Sequence, residues 1–316
     1  MRLRNLRKLE EMEIQREHDA LSTERADLTH LLGDEGEQWS RIGKQVAEIK
    51  KKFGGATALG KRRTEIADAP AVIEVPLEAT VEREPLTVLI SEKGWIRAVS
   101  KHLGEAELAD VKYKDGDTGR FAIRCETTDK LLVFATNGKF FTLSADKLPR
   151  GRGFGEPVRL MIDLGNDTDI LTVLKHQPDR RLVVASEDGR GFQVEEAEVV
   201  AHTRTGKQVL NLEPGKEALV CVPAEGDMVA VIGNNRRLLV FPLSELPLLS
   251  RGKGVLLQKY KDASLSDLKV FAAADGLTWK QGERVFRVPD LTGWLDKRAG
   301  PGKMPPNGFP KLNKFT

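Results

Sequence analysis

The hydrophobic pattern divides the chain into a helical beginning and a strand-rich remainder. Residues 1 to about 32 contain no proline, are rich in Glu, Lys, Arg and Leu, and predict a helix that ends at Gly33. A second helix is predicted from about Glu37 to Phe53, because apolar residues recur there in steps of three and four. Its apolar stripe consists of Trp39, Ile42, Val46, Ile49 and Phe53. Residues 1–54 are therefore expected to form a helical stem, whose helices either pair as a hairpin or pack against another element.

Residues 55–85 have a different texture and are interpreted as a linker. Gly, Ala, Thr and Pro dominate this stretch. The basic cluster Lys61-Arg62-Arg63 lies inside it. Such a run is either an ordinary solvated charge cluster or a contact with nucleic-acid phosphate.

From residue 86 onward, short β-branched runs recur, and each is followed by a tight-turn signal. The turns are centred on Gly94, Gly138, Gly189, Asn235 and Gly282, in steps of 44, 51, 46 and 47 residues. Type I′ hairpins are expected, with Asn235 in place of glycine in the fourth.

The repeat length is typical of a four-stranded propeller blade. A single blade cannot bury both of its faces, so the units are expected to pack side by side. Residues 86–290 therefore predict a mainly β fold, a five-bladed propeller. A β-sandwich with coincidental turn spacing is the alternative. Residues 291–316 are predicted to be a loosely ordered basic tail containing Pro and Gly.

A loop rich in glycine and basic residues follows most of the hairpins. The loops are Arg150–Gly155, Arg204–Lys207, Arg251–Gly254 and Lys297–Lys303, whereas the stretch after the first hairpin, 100–110, is not basic. Glycine allows the backbone to approach a phosphate, and Arg and Lys neutralise its charge. The predicted phosphate-binding residues on one rim are Arg150, Arg152, Arg204, Lys207, Arg251, Lys253, Arg298 and Lys303.

Composition narrows the function classes only slightly. The net charge of +3 and pI near 8.7 do not by themselves indicate nucleic-acid binding. Cys125 and Cys221 lie in apolar runs and are expected to be small buried side chains in a reducing compartment. The five histidines lack metal-ligand spacing, and no membrane span, signal peptide or catalytic constellation is predicted.

Three stretches resemble the A subunits of bacterial type IIA topoisomerases. Residues 3–14 look like the returning helix of their coiled-coil gate, and 50–54 with 60–66 look like the segment that leads to their C-terminal domain. Lys93–Arg97 looks like the first blade of that domain, a β-pinwheel. The gyrase branch has a strict basic, glycine-rich sequence motif in its first blade, and this chain lacks it there. Arg251–Gly254, in a later blade, matches only part of that motif. The chain is therefore more similar to the topoisomerase IV branch.

The resemblance implies a non-specific duplex-DNA-binding module of an ATP-dependent, cytoplasmic enzyme. It implies A-subunit homodimerisation and a B-subunit partner, with ATP and Mg²⁺ held outside this chain, which needs no cofactor of its own. The DNA-cleaving tyrosine of the family lies on a domain before the coiled coil, and neither Tyr113 nor Tyr260 matches its motif. We therefore expect no strand cleavage by this chain alone. A propeller for protein–protein docking and a gyrase-type wrapping module remain alternatives.

Overall fold

The computed structural model describes residues 3–61, 82–151, 153–282 and 284–315, with side chains from residue 10 onward. The chain forms two compact units, Met1–Glu74 and Val75–Thr316. Most of the predicted linker, including Arg62 and Arg63, lies outside the described residues. No described helix is both long and apolar enough to cross a membrane.

The first unit contains two helices, α1 (Leu3–Gly33) and α2 (Glu35–Phe53). Asp34 separates them and caps α2, since its Oδ1 accepts hydrogen bonds from the backbone N–H groups of Gly36 and Glu37. Gln38 donates a side-chain hydrogen bond to the Leu31 carbonyl at 2.8 Å and so joins the two helices. The apolar stripe of α2 is exposed, and Trp39 retains 65% of its accessible surface. Within the described stem the stripe has no covering element.

The second unit contains two short helices, α3 (Glu105–Ala109) and α4 (Glu196–Val199), and seventeen strands among the described residues. The strands are β1 (Pro85–Ser91), β2 (Trp95–Val99), β3 (Gly119–Glu126), β4 (Lys130–Ala135), β5 (Lys139–Ser144), β6 (Glu156–Pro157), β7 (Ile170–Lys175), β8 (Arg181–Ser186), β9 (Arg190–Glu195), β10 (Lys207–Gln208), β11 (Ala218–Pro223), β12 (Met228–Gly233), β13 (Leu238–Pro242), β14 (Val255–Leu256), β15 (Leu265–Phe271), β16 (Leu277–Gln281) and β17 (Arg284–Val288).

The strands form five antiparallel blades, which confirms the predicted five-bladed β-pinwheel that follows a helical stem in the sequence. The sheet orders are β3-β1-β2-β6, β7-β4-β5-β10, β11-β8-β9-β14, β15-β12-β13 and β16-β17. Strands β3, β7, β11 and β15 contact one another in succession and are the inner strands. The outer strand of each of the first three blades comes from the following repeat. After it forms the hairpin of one blade, the chain returns to the outer edge of the preceding blade and adds a short strand there. Blades 1 to 3 have the expected four strands, whereas blade 4 has three and blade 5 has two.

Four hydrophobic clusters lie between consecutive blades. In β4, Leu131 and Val133 face the cluster shared with blade 1, and Leu132 and Phe134 face the cluster shared with blade 3. Because alternate strand residues point to opposite faces, a strand buried on both sides needs an unbroken apolar run. Cys125 and Cys221 are buried in these clusters, as expected. Burial raises the pKa of the Cys125 thiol to about 11.

The hairpin turns differ from the type I′ prediction. In the first three turns, the N–H of Gly94, Gly138 or Gly189 bonds the carbonyl three residues earlier, and only that glycine has positive φ. This is a three-residue loop that ends in the left-handed region. In the fourth turn Arg236, and not Asn235, has positive φ, at 58°. The strain is offset by hydrogen bonds from the Arg236 guanidinium to the carbonyls of Pro310 and Phe309.

The prediction that residues 291–316 are loosely ordered is wrong for the part that the structure describes. Phe309 and Phe315 are buried against blade 5, and the Trp279 indole N–H donates a hydrogen bond to the Gly308 carbonyl at 2.9 Å. Lys303 exchanges two backbone hydrogen bonds with Leu238, at 2.7 and 2.8 Å, on the outer edge of blade 4. The number of basic, Pro and Gly residues suggested a loosely ordered tail. The three aromatic residues of this region order it instead, because they bury apolar surface. We call residues 291–315 the C-terminal segment.

Candidate nucleic-acid interface

The four basic loops lie on the outer edges of four consecutive blades. Loop 150–155 leads into β6 on blade 1, loop 204–207 into β10 on blade 2, and loop 251–254 into β14 on blade 3. Loop 297–303 runs along the outer edge of blade 4, where Lys303 pairs with Leu238. Each loop thus follows one hairpin but lies on the preceding blade. This agrees with the absence of a basic loop in residues 100–110, since no blade precedes blade 1 in the part of the chain that the structure describes.

One glycine in each loop is needed for contact between backbones. Gly155, Gly206, Gly254 and Gly302 all have positive φ, between 69° and 86°. A Cβ atom would come within 2.1 Å of the Ile96 carbonyl oxygen at Gly155 and within 2.4 Å of the Gly191 carbonyl oxygen at Gly254. At Gly206 and Gly302 the distances to the Phe140 and Leu238 oxygens would be 2.8 and 2.9 Å. These glycines therefore hold each loop against its blade. Gly151 and Gly153 have open space around them.

In the first two loops, the predicted phosphate-binding side chains make bonds within the protein. Arg150 is 3.2 Å from the Glu84 carboxylate. The Arg204 guanidinium donates to the carbonyls of Met161, at 2.9 Å, and Leu160. The Lys207 ammonium donates to the carbonyl of Glu198. Arg204 and Lys207 remain exposed. Arg152 lies outside the described residues.

The third and fourth loops contain three predicted cations bonded within the protein and one, Lys303, whose side chain has no described partner. Arg251 donates to the Asn211 side chain at 3.2 Å, and Lys253 forms an ion pair with Glu213 at 2.7 Å. The hydrogen bond and charge of Lys253 hold the pKa of the Glu213 carboxyl below its usual range. Arg298 is half-buried and donates to the Leu256 carbonyl at 2.6 Å. Lys303 is exposed, and its side chain has no hydrogen-bond or ion-pair partner among the described residues.

Two cations outside the predicted set position these loops. Arg97 donates hydrogen bonds to the carbonyls of Gly153, at 2.6 Å, and Lys112, at 2.8 Å. Lys139 donates to the Thr205 carbonyl at 3.3 Å. Each cation comes from the second strand of a hairpin and supports the loop that returns from the next repeat. Their spacing from the turn glycine differs, so the sequence contains no common signal for them.

Neither tyrosine has an environment that favours a phenolate nucleophile. Burial raises the pKa of Tyr113 and of Tyr260. The Tyr260 hydroxyl is buried and has no hydrogen-bond partner among the described residues. The described residues also contain no group of three or more His, Cys, Asp or Glu side chains placed to hold a metal ion. The outer edges present cationic side chains, which can bind the anionic backbone of a polymer such as a nucleic acid.

Comparisons with known proteins agree with this geometry. The family model for the DNA gyrase C-terminal domain, a β-propeller, matches residues 129–173, 180–220 and 227–270, which correspond to the hairpins and inner strands of blades 2, 3 and 4. The A subunit of DNA topoisomerase 4 from Rickettsia bellii is 42% identical over 316 residues, 100% of this chain and 42% of that protein. Its counterpart from Caulobacter vibrioides is 41% identical over 99% of this chain and 42% of its own length.

The structure of the E. coli ParC C-terminal domain superposes with a TM-score of 0.64 at 27% identity and covers 72% of this chain and 96% of that chain. The chain spans less than half the length of the curated relatives that it matches. These similarities confirm the resemblance to the C-terminal part of topoisomerase IV A subunits.

Proposed function

Because the chain is similar over its whole length to the C-terminal part of topoisomerase IV A subunits, we propose that it is the DNA-binding portion of such a protein. In this role, the β-pinwheel binds duplex DNA without reading its sequence and bends it. The bound segment would then be presented to the enzyme, which sets the preference for decatenation and supercoil relaxation. A module of this kind works in the bacterial cytoplasm, on the nucleoid.

One observation carries the proposal: a cationic, glycine-containing loop recurs on the outer edges of four consecutive blades. Repetition along one perimeter suits a polymer with a regularly spaced charge, and duplex DNA is such a polymer. Contacts to phosphates fix the position of a protein on DNA but carry no sequence information. The proposed contacts are those of Arg150, Arg152, Arg204, Lys207, Arg251, Lys253, Arg298 and Lys303.

The rest of the enzyme's activity requires other parts. We propose that the exposed apolar stripe of α2 packs against the remainder of a coiled coil in the intact A-subunit homodimer, because an uncovered stripe of this size favours a partner. The B subunit would supply the ATP site, and Mg²⁺ would be bound outside this chain. We also propose that this chain alone cleaves no strand, because neither Tyr113 nor Tyr260 matches the cleavage motif of the family.

The proposal is tested by fluorescence anisotropy with two unrelated 40-base-pair duplexes over a range of salt concentrations. If about six phosphates are contacted, the logarithm of the association constant should fall against the logarithm of salt concentration with a slope of roughly −5. Both duplexes should bind equally. Binding that does not change with salt, or no binding, would reject the proposal and favour a protein-docking propeller.

A further inference from the structure

The positive charge of the β-pinwheel unit is concentrated toward its C-terminal end. Residues 82–226 contain 21 Lys and Arg residues against 24 Asp and Glu residues, whereas residues 227–316 contain 15 against 8. The first part is therefore slightly acidic and the second strongly basic. Since non-specific DNA binding depends on local cation density, the perimeter of the unit is not electrostatically uniform.

Hydrogen bonds bring the main chains of four exposed cationic residues of the basic part close together. Lys303 pairs with Leu238 and so lies next to Arg237. The Gln258 side chain donates to the carbonyls of Arg237 and Pro301, both at 3.1 Å, and the Lys259 N–H donates to the Gly300 carbonyl at 3.0 Å. The Gly300 N–H in turn bonds the Lys297 carbonyl at 3.1 Å. We call Arg237, Lys259, Lys297 and Lys303 the C-terminal patch.

The patch cations are free, in contrast to the described cations of the predicted loops on blades 1 to 3. All four side chains are exposed, and none has an ion-pair or hydrogen-bond partner among the described residues. Two neighbouring carboxylates, Asp296 and Glu245, accept backbone hydrogen bonds from Lys297 and Arg298, both at 2.8 Å, and neither forms an ion pair with a patch side chain. On blades 1 to 3, by contrast, every described cation of the predicted set is bonded within the protein. A phosphate there competes with an existing partner for the cation, whereas a phosphate at the patch displaces only water and salt ions.

We propose that the C-terminal patch is the main anchor for the DNA backbone, and that the loops of blades 1 to 3 make weaker, secondary contacts. This inference rests on the proposed function and assigns its strongest contacts to one end of the perimeter. Arg237, Lys259 and Lys297 then act together with Lys303, the one predicted contact with a free side chain among those that the structure describes. A short duplex seated at the patch retains most of the affinity.

The experiment compares three variants of the whole chain, each lacking four positive charges. The patch variant carries Arg237→Gln, Lys259→Gln, Lys297→Gln and Lys303→Gln. The loop variant carries Arg150→Gln, Arg204→Gln, Lys207→Gln and Lys253→Gln. The control variant carries Lys93→Gln, Lys112→Gln, Lys147→Gln and Lys216→Gln, which are exposed lysines of residues 82–226 outside the predicted set. Circular dichroism checks that each variant is folded, and anisotropy with a 40-base-pair duplex gives its affinity.

At 0.15 M salt, the patch variant should bind roughly 100-fold more weakly, and its salt slope should be shallower by about 3 to 4, as expected when four phosphate contacts are lost. The loop variant should lose less than about tenfold and the control variant less than about threefold, since these cations are bonded internally or lie away from the DNA. A loop-variant loss equal to or larger than the patch-variant loss overturns the inference and leaves DNA binding intact. Patch-variant binding equal to that of the unmodified chain also overturns it and indicates a different anionic partner. If the unmodified chain binds no duplex, the proposed function itself fails.

Discussion

On the outer edges of blades 1 to 4, a glycine with positive φ holds a basic loop against the blade. Blades 1 to 3 differ from blade 4 in the path that the chain takes after this contact. On blades 1 to 3 the returning loop enters a short outer strand, and the chain then continues into the inner strand of the next blade. On blade 4 the C-terminal segment pairs with Leu238 through Lys303 and then covers blade 5. The first arrangement repeats, so each loop is held from both ends. The second occurs after the last hairpin and depends on aromatic residues of blade 5 and of the chain beyond the contact. We call these residues the aromatic anchor: Trp279, Phe286, Phe309 and Phe315.

This difference extends to the cations. Loops held between two blades lie close to carboxylates and carbonyls of their neighbours, and their Arg and Lys side chains find partners there. In the C-terminal segment, Arg298 and Lys314 donate to the carbonyls of Leu256 and Ser266, whereas Lys297 and Lys303 have no described side-chain partner. Edges with the same backbone contact therefore differ: every described loop cation of blades 1 to 3 is bonded internally, whereas the edge of blade 4 also has free ones, Lys297 and Lys303.

The largest expected effect tests the aromatic anchor. Trp279 is 2% exposed, its ring stacks on Phe286 with centroids 5.6 Å apart, and it also contacts Phe309 at 5.3 Å. Trp279→Ala should lower the free energy of unfolding by about 3–5 kcal/mol, because it leaves a large cavity. Urea denaturation followed by circular dichroism measures the loss. Val285→Ala, at a site with 64% exposure in the same blade, should change it by less than about 0.5 kcal/mol. Equal small losses in both variants would mean that the anchor does not hold the segment.

A smaller effect is expected where the segment contacts blade 4. At Gly302, a Cβ atom would lie 2.2 Å from the Gln258 Nε2 atom, and φ is 69°. Gly302→Ala should cost about 2–3 kcal/mol, from backbone strain and overpacking together. It should also weaken DNA binding, because it displaces the patch.

Gly215→Ala is the matched control. Its φ of 74° imposes similar strain, but nothing lies within 4 Å of the added atom, so only about 1 kcal/mol should be lost. If both substitutions cost the same, the contact at Gly302 adds nothing and the segment is not held there.

The smallest effect tests whether Lys253, a loop cation on blade 3, is bonded to Glu213. Lys253 lowers the pKa of Glu213, so this carboxylate contributes stability above its unfolded pKa and loses that contribution as pH falls through its folded pKa. Lys253→Met should raise the pKa of Glu213 toward its ordinary value, as measured by carboxyl NMR titration. Lys303→Met, the control, should leave it unchanged. An unchanged Glu213 titration in Lys253→Met would show that Lys253 is as free as the patch cations.

Several features of this protein follow from sequence alone, because their causes are local. Helix α2 was predictable from the spacing of its apolar residues, and the five hairpins from recurring turn residues after apolar runs. The apolar runs themselves indicated strands buried on both faces, which requires neighbouring blades. Positions of the cationic loops within the repeat could also be read, since glycine and charge both mark exposed turns.

Only the tertiary structure decided which blade each loop covers, which cations are free and whether the end of the chain is ordered. Loop 150–155 follows the second hairpin but lies on blade 1, and no local pattern encodes that return. Glu84 reaches Arg150 across 66 positions, and Phe315 is buried against a blade that begins near residue 277. These contacts arise from packing between distant segments, and their free energy depends on burial and partner geometry that residue types do not specify.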